Sequence, residues 1–122
     1  MGKAESWEKL AQAALEARRH AYAPYSRFKV GAALLSMDGT IITGCNVENA
    51  SFGLCLCAER NAMTTAVNAG SRKYIAMAIA TESSPPAPPC GSCLQFMAEF
   101  CLDIDLLLVN PKGERRKMLR NN

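Results

Sequence analysis

Cys57-Ala58-Glu59 and Pro89-Cys90-Gly91-Ser92-Cys93 put three cysteines and one glutamate into two short segments. Cys90 and Cys93, at i and i+3, fall on one side of a first helical turn, so both sulfurs can reach one ion. Cys57 offers a third thiolate from a separate helix start. Three protein ligands leave a fourth position for water, the mark of a catalytic zinc rather than a closed structural one, with one Zn2+ per subunit. Glu59 shares the first turn with Cys57. From there a carboxylate reaches the water without ligating the metal, and can take a proton from it and pass it on. Three thiolates around a dication leave excess negative charge. Arg60 is the compensating cation, expected to hydrogen-bond or ion-pair with ligand sulfurs. The blander reading of Arg60 is a solvent-facing helix arginine. Both cysteine segments follow loops and open helices, where free N–H groups and the positive dipole end stabilise thiolates.

These groups need elements to hold them. Ser6 to about Tyr22 reads as a helix, with Trp7, Leu10, Ala11, Ala14, Leu15, Arg18 and Ala21 on one face. Ser6 is its expected N-cap and Pro24 its stop. His20, the only histidine, has no partner nearby in sequence. An aromatic loop, Tyr22–Phe28, precedes a strand over Lys29–Ser36, where Gly31, Ala32 and Ala33 mark a close approach. Asp38-Gly39 is a hairpin signal, and Thr40–Cys45 returns as the partner strand. Asn46–Gly53 is polar and irregular, a loop suited to binding groups. Ala58–Ala69 has helical spacing, with Gly70 as its stop. Tyr74–Thr81 reads as a strand buried on both faces. Glu82–Pro89 is a proline-rich loop, Gly91 to about Phe100 a third helix, and Asp105–Asn110 another buried strand. A turn at Pro111-Lys112-Gly113 leads into a polar stretch with room for a short edge strand. Strands separated by helices run parallel through right-handed crossovers. The expected fold is α/β: a three-layer α/β/α sandwich with a mixed sheet of about five strands, residues 1–122 forming a single domain.

The chain has 122 residues, 49% of them hydrophobic, enough for one core without disulfide staples. The net charge of +3 comes mostly from Lys112, Arg115, Arg116, Lys117 and Arg120. No aromatics are interleaved with them, so a solvated terminus is the expectation and a nucleic-acid partner is not. No signal peptide is expected from the charged N-terminus, and no apolar run approaches the ~20 residues of a membrane span. A cytoplasmic location follows, where metal binding explains closely spaced cysteines better than disulfides do. Cys45, Cys55 and Cys101 read as small buried residues.

Taken together, YAPYSRFKVGAALL, GCNVENASFG, CAERNA and PCGSC, in that order, resemble the homotetrameric, all-cysteine cytidine deaminases of the cytidine and nucleotide deaminase superfamily. The resemblance covers roughly Tyr22 to Asn110. It implies that Cys57, Cys90 and Cys93 bind zinc and that Glu59 shuttles protons. It implies further that Phe28 packs against the pyrimidine and that Asn46 and Glu48 hydrogen-bond the ribose, chiefly its 3′-hydroxyl. The Ala58 N–H would meet the base carbonyl, and Ala50 and Phe52 would belong to a segment entering a neighbouring subunit's active site. The implied reaction is hydrolytic deamination of cytidine and 2′-deoxycytidine in pyrimidine salvage, by a homotetramer with shared active sites and a free nucleoside substrate.

Three features depart from that pattern. Leu94 stands where arginine is often found, and Phe52 replaces a common tyrosine. The stretch ending at Asn122 lacks an LLP-containing segment whose phenylalanine closes a neighbouring site, so closure is expected to differ or to come from elsewhere. Rival readings are a four-thiolate structural zinc using Cys55 with Cys57, Cys90 and Cys93, a thiol–disulfide enzyme using Cys90 and Cys93, and a deaminase of another cytosine-containing compound.

Overall fold

Near-continuous apolar strands organise the molecule around a sheet with two buried faces. The structure, a computed structural model, describes residues 3–87, 99 and 104–119. Within them lie two helices, α1 (Lys3–Arg18) and α2 (Ala58–Asn68), and a short 3-10 turn at Phe52–Leu54. Five strands, β1 (Gly31–Ser36), β2 (Ile41–Cys45), β3 (Tyr74–Ala80), β4 (Asp105–Val109) and β5 (Arg115–Leu119), form one sheet in the order β2-β1-β3-β4-β5. β1 pairs antiparallel with both β2 and β3, β3 runs parallel to β4 from Ala76↔Asp105 to Ala80↔Val109, and β4 pairs antiparallel with β5. The sheet is therefore mixed, as the strand–helix–strand order leads one to expect.

Successive side chains point to opposite faces. Ala32, Leu34, Met77, Ile79, Leu106 and Leu108 pack with Ala58, Ala62, Met63 and Ala66 of α2. Ala33, Ala76, Ala78, Ala80, Leu107 and Val109 face the other way and pack with Leu10, Ala11 and Ala14 of α1. The result is a three-layer α/β/α sandwich. Two glycines set how closely the helices approach. A Cβ on Gly31 would stand 2.1 Å from the Ala14 carbonyl oxygen, and one on Gly44 would stand 2.4 Å from the Ala62 nitrogen. Each helix thus lies with its backbone directly on a strand.

Several boundaries differ from the sequence expectations, and hydrogen bonding explains them. Helix α1 starts at Lys3, so Ser6 lies inside it rather than capping it. It ends at Arg18, ahead of Tyr22 and Pro24. Arg19, His20 and Ala21 turn through bonds to carbonyls three residues back, and the Tyr22 N–H then bonds the Asn46 carbonyl at 2.9 Å. Strand β1 begins at Gly31, not Lys29, because side chains engage the preceding backbone: Arg18 Nε donates to the Lys29 carbonyl and Asn46 Oδ1 accepts the Val30 N–H. The basic stretch after the Pro111–Gly113 turn forms the short edge strand for which the sequence left room, β5, and its Arg115, Arg116 and Lys117 remain exposed. Its alternation turns Met118 toward the α2-side core and brings Lys117 Nζ to 5.1 Å from the Trp7 ring centre. Arg115 pairs with Glu8 of α1 at 3.3 Å. The third predicted helix, Gly91–Phe100, lies outside the described residues apart from Glu99, as do Cys101 and Arg120.

Candidate active site

Cys57 is the N-cap of α2, in extended conformation (φ −78°, ψ 159°), and its side chain makes no capping hydrogen bond. The apolar spacing of Ala58, Ala62, Met63 and Ala66 seats the helix on the sheet. That seating carries Cys57, Glu59 and Arg60 to the end of β2. Asn61 secures the join, its Nδ2 donating to the Cys45 carbonyl at 2.9 Å. Arg60 folds back over the helix start: Nε donates to Cys57 Sγ at 3.1 Å and Nη2 to the Cys55 carbonyl at 3.3 Å. A guanidinium on the sulfur and the positive end of a helix beneath it form a setting that suits a thiolate metal ligand. Glu59 is buried, at 4% exposure, in the same turn.

A cavity of ≈ 220 Å³ joins these groups, its described lining being Val30, Asn46, Glu48, Cys55, Leu56, Cys57, Ala58, Glu59 and Arg60. The structure thus brings Cys57, Ala58, Glu59, Arg60, Asn46 and Glu48 to one space. A second cavity of ≈ 240 Å³ adjoins it through Glu48 and Cys55, and Ala50 lines it together with Tyr25, Ser26 and Asn49. Phe28 lines neither cavity and is 41% exposed. Phe52 opens the 3-10 turn. Cys90 and Cys93 lie outside the described residues, as does Leu94. Among the described residues no cluster of three His, Cys, Asp or Glu is arranged to hold a metal. Cys55 bonds its own loop, with Sγ accepting the Asn49 N–H at 3.3 Å.

Asn46 and Glu48, also in the lining, are held by contacts invisible in the sequence. The Asn46 amide spans the 28–30 backbone, Nδ2 donating to the Phe28 carbonyl at 2.8 Å and Oδ1 accepting the Val30 N–H at 2.9 Å. Glu48 Oε1 accepts the N–H groups of Tyr25 at 3.0 Å and Ser26 at 3.1 Å, and Oε2 accepts the Ser26 hydroxyl proton. The Ser26 hydroxyl, then the Ser26 and Tyr25 backbone, hold the Glu48 carboxyl below its usual pKa of 4.5. Burial pushes the Cys45 thiol the other way, up from 9.0. Arg18, half-hidden at the end of α1, pairs with Glu82. Asn110 Nδ2 donates to the Ser83 carbonyl at 3.0 Å, and Thr81 Oγ1 accepts the Ala87 N–H at 3.3 Å. These bonds anchor the chain that leads toward Cys90. Sequence reasoning misses Ser26, Arg18 and Asn61. Only Ser26 leaves a local signal, a serine two residues before the N–H its hydroxyl accepts.

Comparison with known proteins points the same way. Residues 4–106 match the family model for the cytidine and deoxycytidylate deaminase zinc-binding region. A cytidine deaminase of Halalkalibacterium halodurans is 50% identical over 106 residues, covering 86% of this chain and 80% of the relative. One of Sporosarcina psychrophila is 47% identical over 108 residues, 88% and 79% of the two chains. The crystal structure of a cytidine deaminase from Burkholderia pseudomallei superposes with a TM-score of 0.91 at 45% identity, covering 99% of this chain and 94% of its own.

Proposed function

The chain belongs to the cytidine and deoxycytidylate deaminase family, and from that premise we propose that it is a zinc-dependent hydrolase acting on free cytidine and 2′-deoxycytidine. The products are uridine or 2′-deoxyuridine and ammonia, a reaction of pyrimidine salvage in the cytoplasm. One observation supports this most: buried Glu59 lines a cavity that the Cys57–Arg60 pair, Asn46 and Glu48 also line. An acid/base group, a thiolate setting and hydroxyl-binding groups then share one small space.

Cys57, Cys90 and Cys93 would hold one zinc per subunit, which when bound supplies the Lewis acidity that makes water nucleophilic at neutral pH. Arg60 offsets the negative charge of the thiolates through its bond to the Cys57 sulfur. Glu59 removes a proton from the attacking water and delivers it to N3 of the pyrimidine, which makes C4 electrophilic. Oxygen bonds to C4, and Glu59 then takes the second proton from the new C4 hydroxyl and passes it to the amine, so that the C4–N bond breaks, ammonia leaves and the C4 carbonyl of uridine forms. The Ala58 N–H meets the base carbonyl oxygen, Phe28 packs against the ring, and Asn46 and Glu48 take the ribose hydroxyls. Ala50 and Phe52 reach a neighbouring subunit's site in a homotetramer, each subunit one domain.

Cytidine incubated with the zinc-loaded protein tests the reading, followed by ultraviolet absorbance or ammonia release. Wild type converts cytidine. Glu59→Gln retains zinc by metal analysis and loses at least ~100-fold in kcat, the scale of a general acid–base group. Full activity in Glu59→Gln sinks the mechanism.

A further inference from the structure

We propose that Ser26 is a positioning residue for sugar recognition, its hydroxyl tying the Phe28 backbone to the Glu48 carboxylate so that base and sugar contacts are held in one register. The proposal rests on the nucleoside reading above and adds a residue outside the zinc-ligand and proton-transfer set. Ser26 Oγ donates to Glu48 Oε2 and accepts the Phe28 N–H at 3.0 Å. The Phe28 carbonyl is held from the other side by Asn46 Nδ2 at 2.8 Å. Both backbone polar groups of Phe28 are therefore anchored, one by Asn46 and one, through Ser26, by Glu48.

Acceptor counting sharpens the role. A carboxylate offers about four acceptor sites, two on each oxygen. Oε1 of Glu48 already accepts two N–H bonds, from Tyr25 and Ser26. Among the described residues Oε2 accepts only the Ser26 hydroxyl, which leaves one site on that oxygen for a sugar hydroxyl. Ser26 thus selects which oxygen meets the sugar and fixes the direction of the remaining lone pair. It sits on an exposed turn next to Arg27, whose φ is +60°, so the hydroxyl contributes to holding a turn that is not at rest by itself.

The test compares Ser26→Ala and Ser26→Thr with wild type, each zinc-loaded, on cytidine and on 3′-deoxycytidine. Ser26→Ala is expected to raise KM for cytidine about tenfold with kcat nearly unchanged, the scale of one hydrogen bond to a charged group. The rise should be several-fold smaller for 3′-deoxycytidine, which lacks the 3′-hydroxyl that Glu48 chiefly takes, and Ser26→Thr should restore the wild-type KM. Equal penalties on both substrates, an unchanged cytidine KM, or a Ser26→Thr variant as impaired as Ser26→Ala would overturn the proposal. Cytidine turnover by wild type separates this failure from failure of the underlying reading: without it the nucleoside reading falls, and the role of Ser26 with it.

Discussion

Gly44→Ala probes the seating of the catalytic helix on the sheet. The added Cβ would lie 2.4 Å from the Ala62 nitrogen, 2.8 Å from the Ala58 carbonyl oxygen and 2.9 Å from the Ala62 Cα. All three are backbone atoms of α2, so no side chain can rotate away. Ordinary contact begins near 3.4 Å, and the helix must retreat by about 1 Å. Overpacking of this kind costs about 1–3 kcal/mol. For a domain of this size that lowers the melting temperature by roughly 4 °C per kcal/mol. The same retreat displaces Cys57, Glu59 and Arg60 together, and a misplacement of about 1 Å can cost ~100-fold in rate. Gly31→Ala is the comparison on the other face: its Cβ would meet the Ala14 carbonyl at 2.1 Å and the Arg18 nitrogen at 2.4 Å, so it displaces α1, reaching the site only through the bond of Arg18 to the Lys29 carbonyl, and leaves the seat of α2 alone. Thermal melts and kcat/KM per folded molecule should show both variants destabilised and Gly44→Ala the more strongly impaired in rate. A Gly44→Ala protein that melts with wild type and turns over cytidine at its rate refutes the close-approach reasoning.

Two further outcomes follow from the site. Replacing Arg60 with alanine removes the donor to the Cys57 sulfur and should weaken zinc binding about 10–100-fold, measured by competition with a chromogenic chelator; an unchanged affinity removes Arg60 from the metal's support. The Glu48 carboxyl has its pKa lowered in the fold, so its stabilising effect is complete above about pH 4.5 and fades as pH falls through the lowered value. Glu48→Gln should therefore narrow its stability gap to wild type in acid melts below pH 4.5, and a gap that stays constant contradicts the assignment.

What was legible in the sequence was local. Cys57, Glu59 and Arg60 could be placed on one helical turn because Ala62, Met63 and Ala66 repeat at helical spacing and Gly70 marks the stop. Buried strands such as Leu106–Val109 declare themselves by continuous apolar composition. Strand β5 does not, since RRKML reads as a solvated tail with no more than room for a short edge strand until Arg115 finds Glu8, a partner 107 residues away. Asn46 and Glu48 stood out as polar residues suited to a sugar. Their attachment to the 25–30 backbone depends on the Tyr22 and Val47 segments running side by side, which no short window reports. The early end of α1 has the same origin, because the backbone of Tyr22 is taken up by Asn46.

The two sides of the sheet should record evolutionary drift differently. Against α1 the contact is made largely of single methyl groups, from Ala11, Ala14, Ala33, Ala76, Ala78 and Ala80. Such a surface has little to lose by truncation and no room for enlargement, so residue size there is nearly frozen. Against α2, Leu34, Met63, Met77, Ile79, Leu106 and Leu108 form a layer of large, flexible shapes, in which one bulky residue can exchange for another with small adjustments. Sequence variation would then collect beneath the helix that carries the chemistry, while the helix on the far side holds its composition.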